Sequence, residues 1–410
     1  MSKFKRYERY KDSGVEWIGE IPEHWGVIKL KYVTKLAYGD SLPTENREEE
    51  GEVDVFGSNG KVGTHNVANT LSPVIIVGRK GSYGKVTYSD KKCFAIDTTY
   101  YIDNRCTKSN IKWLYYSLMV LELDKNSQDT GVPGLSREYA YNKYVPVPTV
   151  NEQVAIANFL DQKTAEIDGL IADKEKFIEL LQEKRQAIIT EAVTKGLNPN
   201  VRMKDSGIEW IGEIPEHWIL SKIKYVSLIN NKTLSESTDD DYEIDYIDIS
   251  SVTSIGEIDG IQRLNFKDAP SRARRILSKG DTIVSTVRTY LKAIAFIENV
   301  QSNLICSTGF AVLTPLSKVV PKYLFYLMRS EKYVNEIVRR SVGVSYPAIN
   351  ASDIGALECA IPNKDEQKYI VEYLDNCTTQ IDQLVNDIQT QIQKLKEYRQ
   401  SLISEAVTGK

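Results

Sequence analysis

Histidine is almost missing from this chain, with three in 410 residues, and its five cysteines stand apart without a Cys-x-x-Cys pair. An odd set of scattered cysteines (Cys93, Cys106, Cys306, Cys359 and Cys377) argues against a disulfide framework and a zinc site, and for a reducing cytoplasm. With so few histidines, neither a nucleophilic triad nor a metal cluster can be argued. No apolar run approaches the roughly 20 residues needed to cross a bilayer. Met1 to Lys11 is basic but has no apolar signal segment. Nucleotide and methyl-donor motifs are missing too: there is no Gly-x-Gly-x-x-Gly and no Asn/Asp-Pro-Pro-aromatic tetrapeptide of amino-methyltransferases. The stretch Gly78 to Lys85 imitates a phosphate loop, but it has five residues rather than four between Gly78 and Gly84, and Val86 where Ser or Thr is needed. Asp239, Asp240 and Asp241 read as a solvated loop rather than paired acid and base. No excess of one charge exists either: the net charge of -4 leaves any polyanion contact to local basic patches.

What the chain does have is itself, written twice. Lys11 to Trp25 reads KDSGVEWIGEIPEHW and Lys204 to Trp218 reads KDSGIEWIGEIPEHW. A second repeat relates Glu152 to Gly196 with Glu366 to Lys410, carrying Glu152-Gln153, Leu160-Asp161, Ile167-Asp168 and Glu191-Ala-Val-Thr194 onto Glu366-Gln367, Leu374-Asp375, Ile381-Asp382 and Glu405-Ala-Val-Thr408. The order is therefore tryptophan motif, variable region, long repeated segment, and the same again. In the motif, Trp17, Ile18, Ile21 and Trp25 read as one apolar surface, Gly19 and Pro22 as turn residues, and His24 and His217 as packed rather than catalytic.

The repeated segments read as long helices. Thr149 and Asn363 each precede a glutamate by three residues, the capping-box spacing. Ile156, Leu160, Lys163, Ile167, Leu170, Lys174, Phe177, Leu181, Lys184 and Ile188 step by fours and threes. So do Ile370, Leu374, Cys377, Ile381, Leu384, Ile388, Gln391, Leu395, Tyr398 and Leu402, a coiled-coil seam in which polar Lys163, Lys174 and Gln391 mark a register device or solvent-exposed ends. Each rod would be about 65 Å long. Because a compact domain cannot easily bridge such a length, the helices should be antiparallel, with a domain at each end and the chain termini close together. The expected fold is mixed α+β: two α/β domains at opposite ends of an antiparallel pair of long coiled-coil helices, related by a pseudo-two-fold internal repeat. The expected divisions are 1–150, 151–197 (helix), 198–363 and 364–410 (helix).

Within the variable regions, strands are expected at Val74 to Val77, Gly84 to Tyr88 and Thr98 to Ile102, then a helix at Ile111 to Leu121. The second region offers strands at Tyr242 to Ser250, Thr282 to Val287, Ala293 to Ile297 and Gly309 to Leu313, then a helix at Lys322 to Val338. Basic and small polar residues gather in each region. Arg79, Lys80, Ser82 and Tyr83 lie in one glycine-punctuated loop, with Lys85; Arg272, Arg274, Arg275, Arg288, Thr289 and Tyr290 lie in the other region. Arginine forks fit guanine or phosphate, and hydroxyls fit the sugar-phosphate chain. A solvated surface is the competing reading of each run; their matching positions in two copies favour DNA. Asn59 and Lys61, in Gly57-Ser-Asn-Gly-Lys61, fit base edges or a plain turn.

The duplicated Gly14-x-Glu-Trp-Ile-Gly-x-Ile-Pro-x-x-Trp25 and the Glu152-Gln153 to Thr194 segment resemble the specificity (S) subunits of type I restriction-modification systems. Pro270 to Ile276, Gly280 to Arg288 and Ser307 to Leu313 look like stretches of their target-recognition domains, and Gly78 to Gly81 with Asp97 to Tyr100 resembles another recognition-domain type. The resemblance implies a non-catalytic subunit whose two domains read an asymmetric bipartite site in double-stranded DNA. It implies helices docking two methyltransferase subunits, around Ile167, Leu170, Leu181, Ile381, Leu384 and Leu395, with motor-nuclease subunits joining for restriction. S-adenosylmethionine, ATP and Mg2+ would sit on those partners, and no metal or cofactor here. A coiled-coil scaffold whose end domains bind proteins is the alternative.

Overall fold

The computed structural model describes residues 7–48, 50–125, 133–300 and 303–410, so the basic leading stretch is described only from Tyr7. Two compact units emerge, Met1–Lys174 with Gln389–Lys410, and Glu175–Ile388. Each unit holds one tryptophan motif, one variable region and part of both long helices.

The long helices span Val150–Lys195 and Lys364–Thr408, within two residues of the expected limits. The first starts on a closed capping box: the Glu152 carboxylate accepts from the Thr149 amide at 2.9 Å while Thr149 Oγ1 accepts from the Glu152 amide at 3.4 Å. At the second, Asn363 Oδ1 accepts from the Glu366 amide at 3.0 Å.

The helices pack together, and inside each unit they run antiparallel. In the first unit Asp168 accepts from Arg399 at 2.8 Å, and Lys174 donates to Gln391 at 2.6 Å. In the second, Asp382 accepts from Arg185 at 2.8 Å. The two arginine–aspartate pairs occupy equivalent positions of the repeat. The buried stripe keeps the four-and-three step but corrects the expected seam. Leu160, Ile167, Leu181, Leu374, Ile381 and Ile388 are buried as expected. The alternate positions fall one residue later, at Thr164, Ile171, Ile178 and Arg185 rather than Lys163, Leu170, Phe177 and Lys184. The second helix shows the same slip, to Thr378, Val385, Ile392 and Arg399. Leu170 and Leu384 are accordingly 51% and 40% exposed. The buried hydroxyls, the paired arginines and, as expected, the half-buried Lys174 take the polar places in the stripe, while Lys163 pairs with Glu166 on the outside.

Each unit is built on a four-stranded sheet of the same order. In the first it runs Ala37–Tyr38, Thr99–Ile102, Val74–Gly78, Val86–Ser89; in the second Ser227–Ile229, Phe310–Pro315, Thr282–Ser285, Ile294–Phe296. Valine- and isoleucine-rich central strands are buried on both faces, which is why they read as continuous apolar runs. A second sheet stands beside each. Its core is a parallel pair, Val53–Gly57 with Phe94–Ala95 and Glu243–Ile247 with Leu304–Ser307. In the second unit the strand Ala273–Ile276 is added to that sheet, with no counterpart among the described residues of the first.

The expected helix Lys322 to Val338 is two helices, Pro321–Arg329 and Glu331–Arg340. Buried Ser330 breaks it in extended conformation, and the long helix takes the groups the break frees: Gln186 donates to the Arg329 carbonyl at 2.6 Å and Thr190 Oγ1 accepts from the Glu331 amide at 2.9 Å.

Candidate nucleic-acid interface

Placement of the variable domains begins with the repeated residues. Trp25 is buried with Ile18 and Ile21, and Trp218 with Ile211 and Ile214. Trp17, 39% exposed, stands outside the apolar surface expected of it. Each buried indole donates to the helix-start glutamate at 3.1 Å, Trp25 to Glu152 and Trp218 to Glu366. His24 and His217 reach the same carboxylates at 2.8 Å, but both are exposed, which corrects the packed position expected of them. Burial acts to raise the Glu152 pKa, but hydrogen bonds from Thr149, His24 and Trp25 outweigh it and hold the carboxyl at about 2.

A second clasp was not legible in the sequence. Lys112 and Tyr116, one turn apart on the helix Ile111–Met119, both bind Asp161, with the Tyr116 hydroxyl at 2.9 Å. Lys322 and Tyr326 bind Asp375 in the same way, at 3.0 and 2.6 Å. The repeated Leu-Asp dipeptide is thus the anchor by which each domain's helix grips a long helix. A Lys-x-x-x-Tyr pair shared by two otherwise unlike regions was the available signal.

At one end of the first domain the structure gathers the candidates. The turn with Asn59 adjoins the hairpin loop Arg79 to Lys85: Lys85 donates to the Asn59 carbonyl and side chain at 2.8 and 3.0 Å. Gly78 makes this approach possible, because a Cβ there would sit 2.2 Å from the Ser82 carbonyl and 3.0 Å from that of Ser58. Arg79 donates to the Asp97 carbonyl at 3.0 Å and lies 5.1 Å from the ring of Tyr38, which Arg137 also approaches at 4.8 Å. Lys80 and Ser82 are exposed, Tyr83 is half-buried against the core, and Lys61 is paired with Asp54 at 2.5 Å.

The second domain puts Arg288 in the equivalent hairpin loop. Arg288 and Lys292 both take left-handed backbone (φ 51° and 56°) around a short 3-10 turn, Thr289–Leu291. The Arg288 guanidinium lies 4.6 Å from the ring of Tyr346. Tyr290 is exposed, whereas Thr289 is buried and hydrogen-bonded to Ser341 at 2.8 Å. The other arginines separate from this loop. Arg272 is paired with Asp248 at 2.5 Å. Arg274 stacks on Phe266 at 4.5 Å, and Arg275 donates to Thr233 at 3.0 Å.

The model of the type I restriction modification DNA specificity domain matches residues 22–180 and again 215–394. The chain belongs to this family. It is 22% identical to the MjaVIII type I restriction enzyme specificity subunit of Methanocaldococcus jannaschii, over 95% of this chain and 93% of that one. To the EcoDI specificity subunit of Escherichia coli it is 21% identical, covering 95% and 89%. Its fold matches a chain from a structural study of complex assembly and conformational transition of the type I restriction–modification system. That match has a TM-score of 0.67 at 14% identity and covers 94% of this chain and 98% of that one.

The specificity-domain matches each take in one variable region with its clasps, so the chain carries two target-recognition domains on paired long helices. Tyr38, Arg137 and Tyr346 are the neighbours of the candidate arginines that the sequence did not disclose. They lie 41 or more residues from the arginines they contact, or in the case of Arg137 share a ring across that distance, and no local pattern announces them. Among the described residues no helix is long and apolar enough to cross a membrane.

Proposed function

We propose that this specificity subunit reads an asymmetric, two-part sequence in double-stranded DNA, one part by each domain, and has no chemistry of its own. The supporting observation is the arginine held against an exposed tyrosine at the same hairpin end of each four-stranded sheet, Arg79 on Tyr38 and Arg288 on Tyr346. A guanidinium pinned on a ring has already lost much of its rotamer freedom, so less is lost on reaching a base edge or phosphate. Asn59, Lys80, Ser82 and Tyr290 border these arginines, while Arg272 stands apart, paired with Asp248. Tyr83, Thr289, Arg274 and Arg275 support the domain from within.

In this reading each domain is carried on the paired long helices. Two methyltransferase subunits dock on the helix faces, where Leu170 and Leu384 are exposed, and motor-nuclease subunits join for restriction in the cytoplasm. S-adenosylmethionine, ATP and Mg2+ belong to those partners. The test is a methylome: the chain is co-expressed with an adenine methyltransferase encoded beside it, in a methylation-free host. A two-part motif with a fixed gap, lost without this chain, is expected. Arg79→Ala should relax one part and Arg288→Ala the other, by about 1–3 kcal/mol if each reads a base. A soluble complex that leaves no motif, and shows no salt-dependent DNA affinity, would favour a protein-binding scaffold.

A further inference from the structure

Beside Arg288, the segment from Val342 to Tyr346 exposes what a domain of this kind ordinarily hides. Val344 is fully exposed, Val342 79% and Tyr346 62%. The segment is nonetheless tied down. Val342 and Ala348 exchange backbone hydrogen bonds of 2.8 and 3.0 Å, the Arg288 amide donates to the Pro347 carbonyl at 2.7 Å, and the Ile349 amide to that of Thr286 at 2.9 Å. Gly343, at φ +117°, allows the turn at its start. An aliphatic tip is thus fixed beside a cationic loop carrying Arg288 and Lys292.

That combination selects its occupant. A duplex groove offers phosphates to the cations, and on its base edges one feature an aliphatic side chain can recognise, the 5-methyl group of thymine. A protein surface matching the apolar tip would gain nothing from the Arg288 guanidinium beside it unless it were also acidic. We propose that Val344 reads a thymine methyl in the part of the target bound by the second domain, with Tyr346 holding Arg288 alongside. The proposal rests on the DNA-reading role given above.

The test uses the complete complex with its methyltransferase, once the motif is mapped. Duplexes in which each thymidine of that half-site is replaced singly by deoxyuridine are titrated against the wild-type and Val344→Ala complexes. One replacement should weaken wild-type binding by roughly five- to tenfold, and the Val344→Ala complex should lose little further there. Replacements in the other half-site should act alike on both. The proposal is overturned if no replacement matters, if the variant shows the same penalty as wild type, or if the half-site contains no A·T pair. Failure of Val344→Ala to assemble with the methyltransferase also overturns it, marking the tip as a protein contact. A wild-type complex that writes no two-part motif removes the DNA reading itself, a result separable from all of these.

Discussion

The two halves of this chain agree in their framework and differ in their loops. Trp25 and Trp218, Glu152 and Glu366, Asp161 and Asp375, Arg399 and Arg185 make the same contacts at nearly the same distances. The hairpin loops share a place in the sheet and an arginine followed by Tyr-x-Lys, but differ in length and build: glycines bend one, while left-handed Arg288 and Lys292 bend the other. Contacts that place a domain on a helix are therefore held separate from contacts that face outward, and the second set can change without moving the first. Loops on a rigid scaffold commonly carry function in this way.

The largest effects should come from the framework, and should be equal in both halves. Trp25→Ala and Trp218→Ala each remove a fully buried indole and its bond to a glutamate, costing about 3–5 kcal/mol. Hydrogen exchange resolved by peptide reads each half by itself, which a single melting curve of a two-unit chain does not. A loss confined to one variant would break the equivalence.

Next comes the helix stripe. Ile171→Ala should cost about 2–4 kcal/mol and the half-buried Val385→Ala about 1–2 kcal/mol, with Leu170→Ala and Leu384→Ala less than about 1 kcal/mol in the isolated chain. Equal losses by chemical denaturation would restore the seam expected from the sequence. That expectation failed for a definite reason. Leu170-Ile171 and Phe177-Ile178 place apolar residues at both candidate positions, and either choice keeps the four-and-three step. Only the polar members decide, because Arg185 and Arg399 enter the stripe when each meets an aspartate from the facing helix. Sequence periodicity carries no information about that partner. The repeat itself, the helix limits and the apolar strands were all legible, since each is written locally. Tyr38, Tyr346 and the Lys-x-x-x-Tyr clasps were not, because their meaning lies in a contact across the fold.

A smaller effect separates the two helix starts. Glu152 accepts two further hydrogen bonds from Thr149, whereas among the described residues Glu366 takes its side-chain bonds from His217 and Trp218. Glu152→Ala should thus cost about 1 kcal/mol more than Glu366→Ala. Glu152 also sets an acid limit. Its carboxyl is held at about 2 against an ordinary 4.5, so its contribution is full above 4.5 and is lost as pH falls from there toward 2. Exchange protection around Ile18 to Trp25 should fall in that window in wild type and lose this pH dependence in Glu152→Gln. An unchanged profile in the variant would exclude Glu152 as the titrating group.

The smallest effect tests the loops, and should be unequal. Arg79 has three restraints: the Asp97 carbonyl, the Tyr38 ring, and Arg137 crowding that ring. Arg288 has the Tyr346 ring as its side-chain contact. A cation–π contact at an exposed site is worth about 0.5–1 kcal/mol, or roughly two- to fivefold in affinity. Removing the ring should therefore free Arg288 more completely than Arg79. Tyr346→Leu should weaken discrimination in the second half-site by up to about fivefold, and Tyr38→Leu in the first by no more than about twofold. Methylation frequencies at single-mismatch sites across a genome would measure both in one experiment. Equal losses would mean that the rings themselves touch DNA rather than position the arginines, since stacking on a base does not depend on how the neighbouring guanidinium is held.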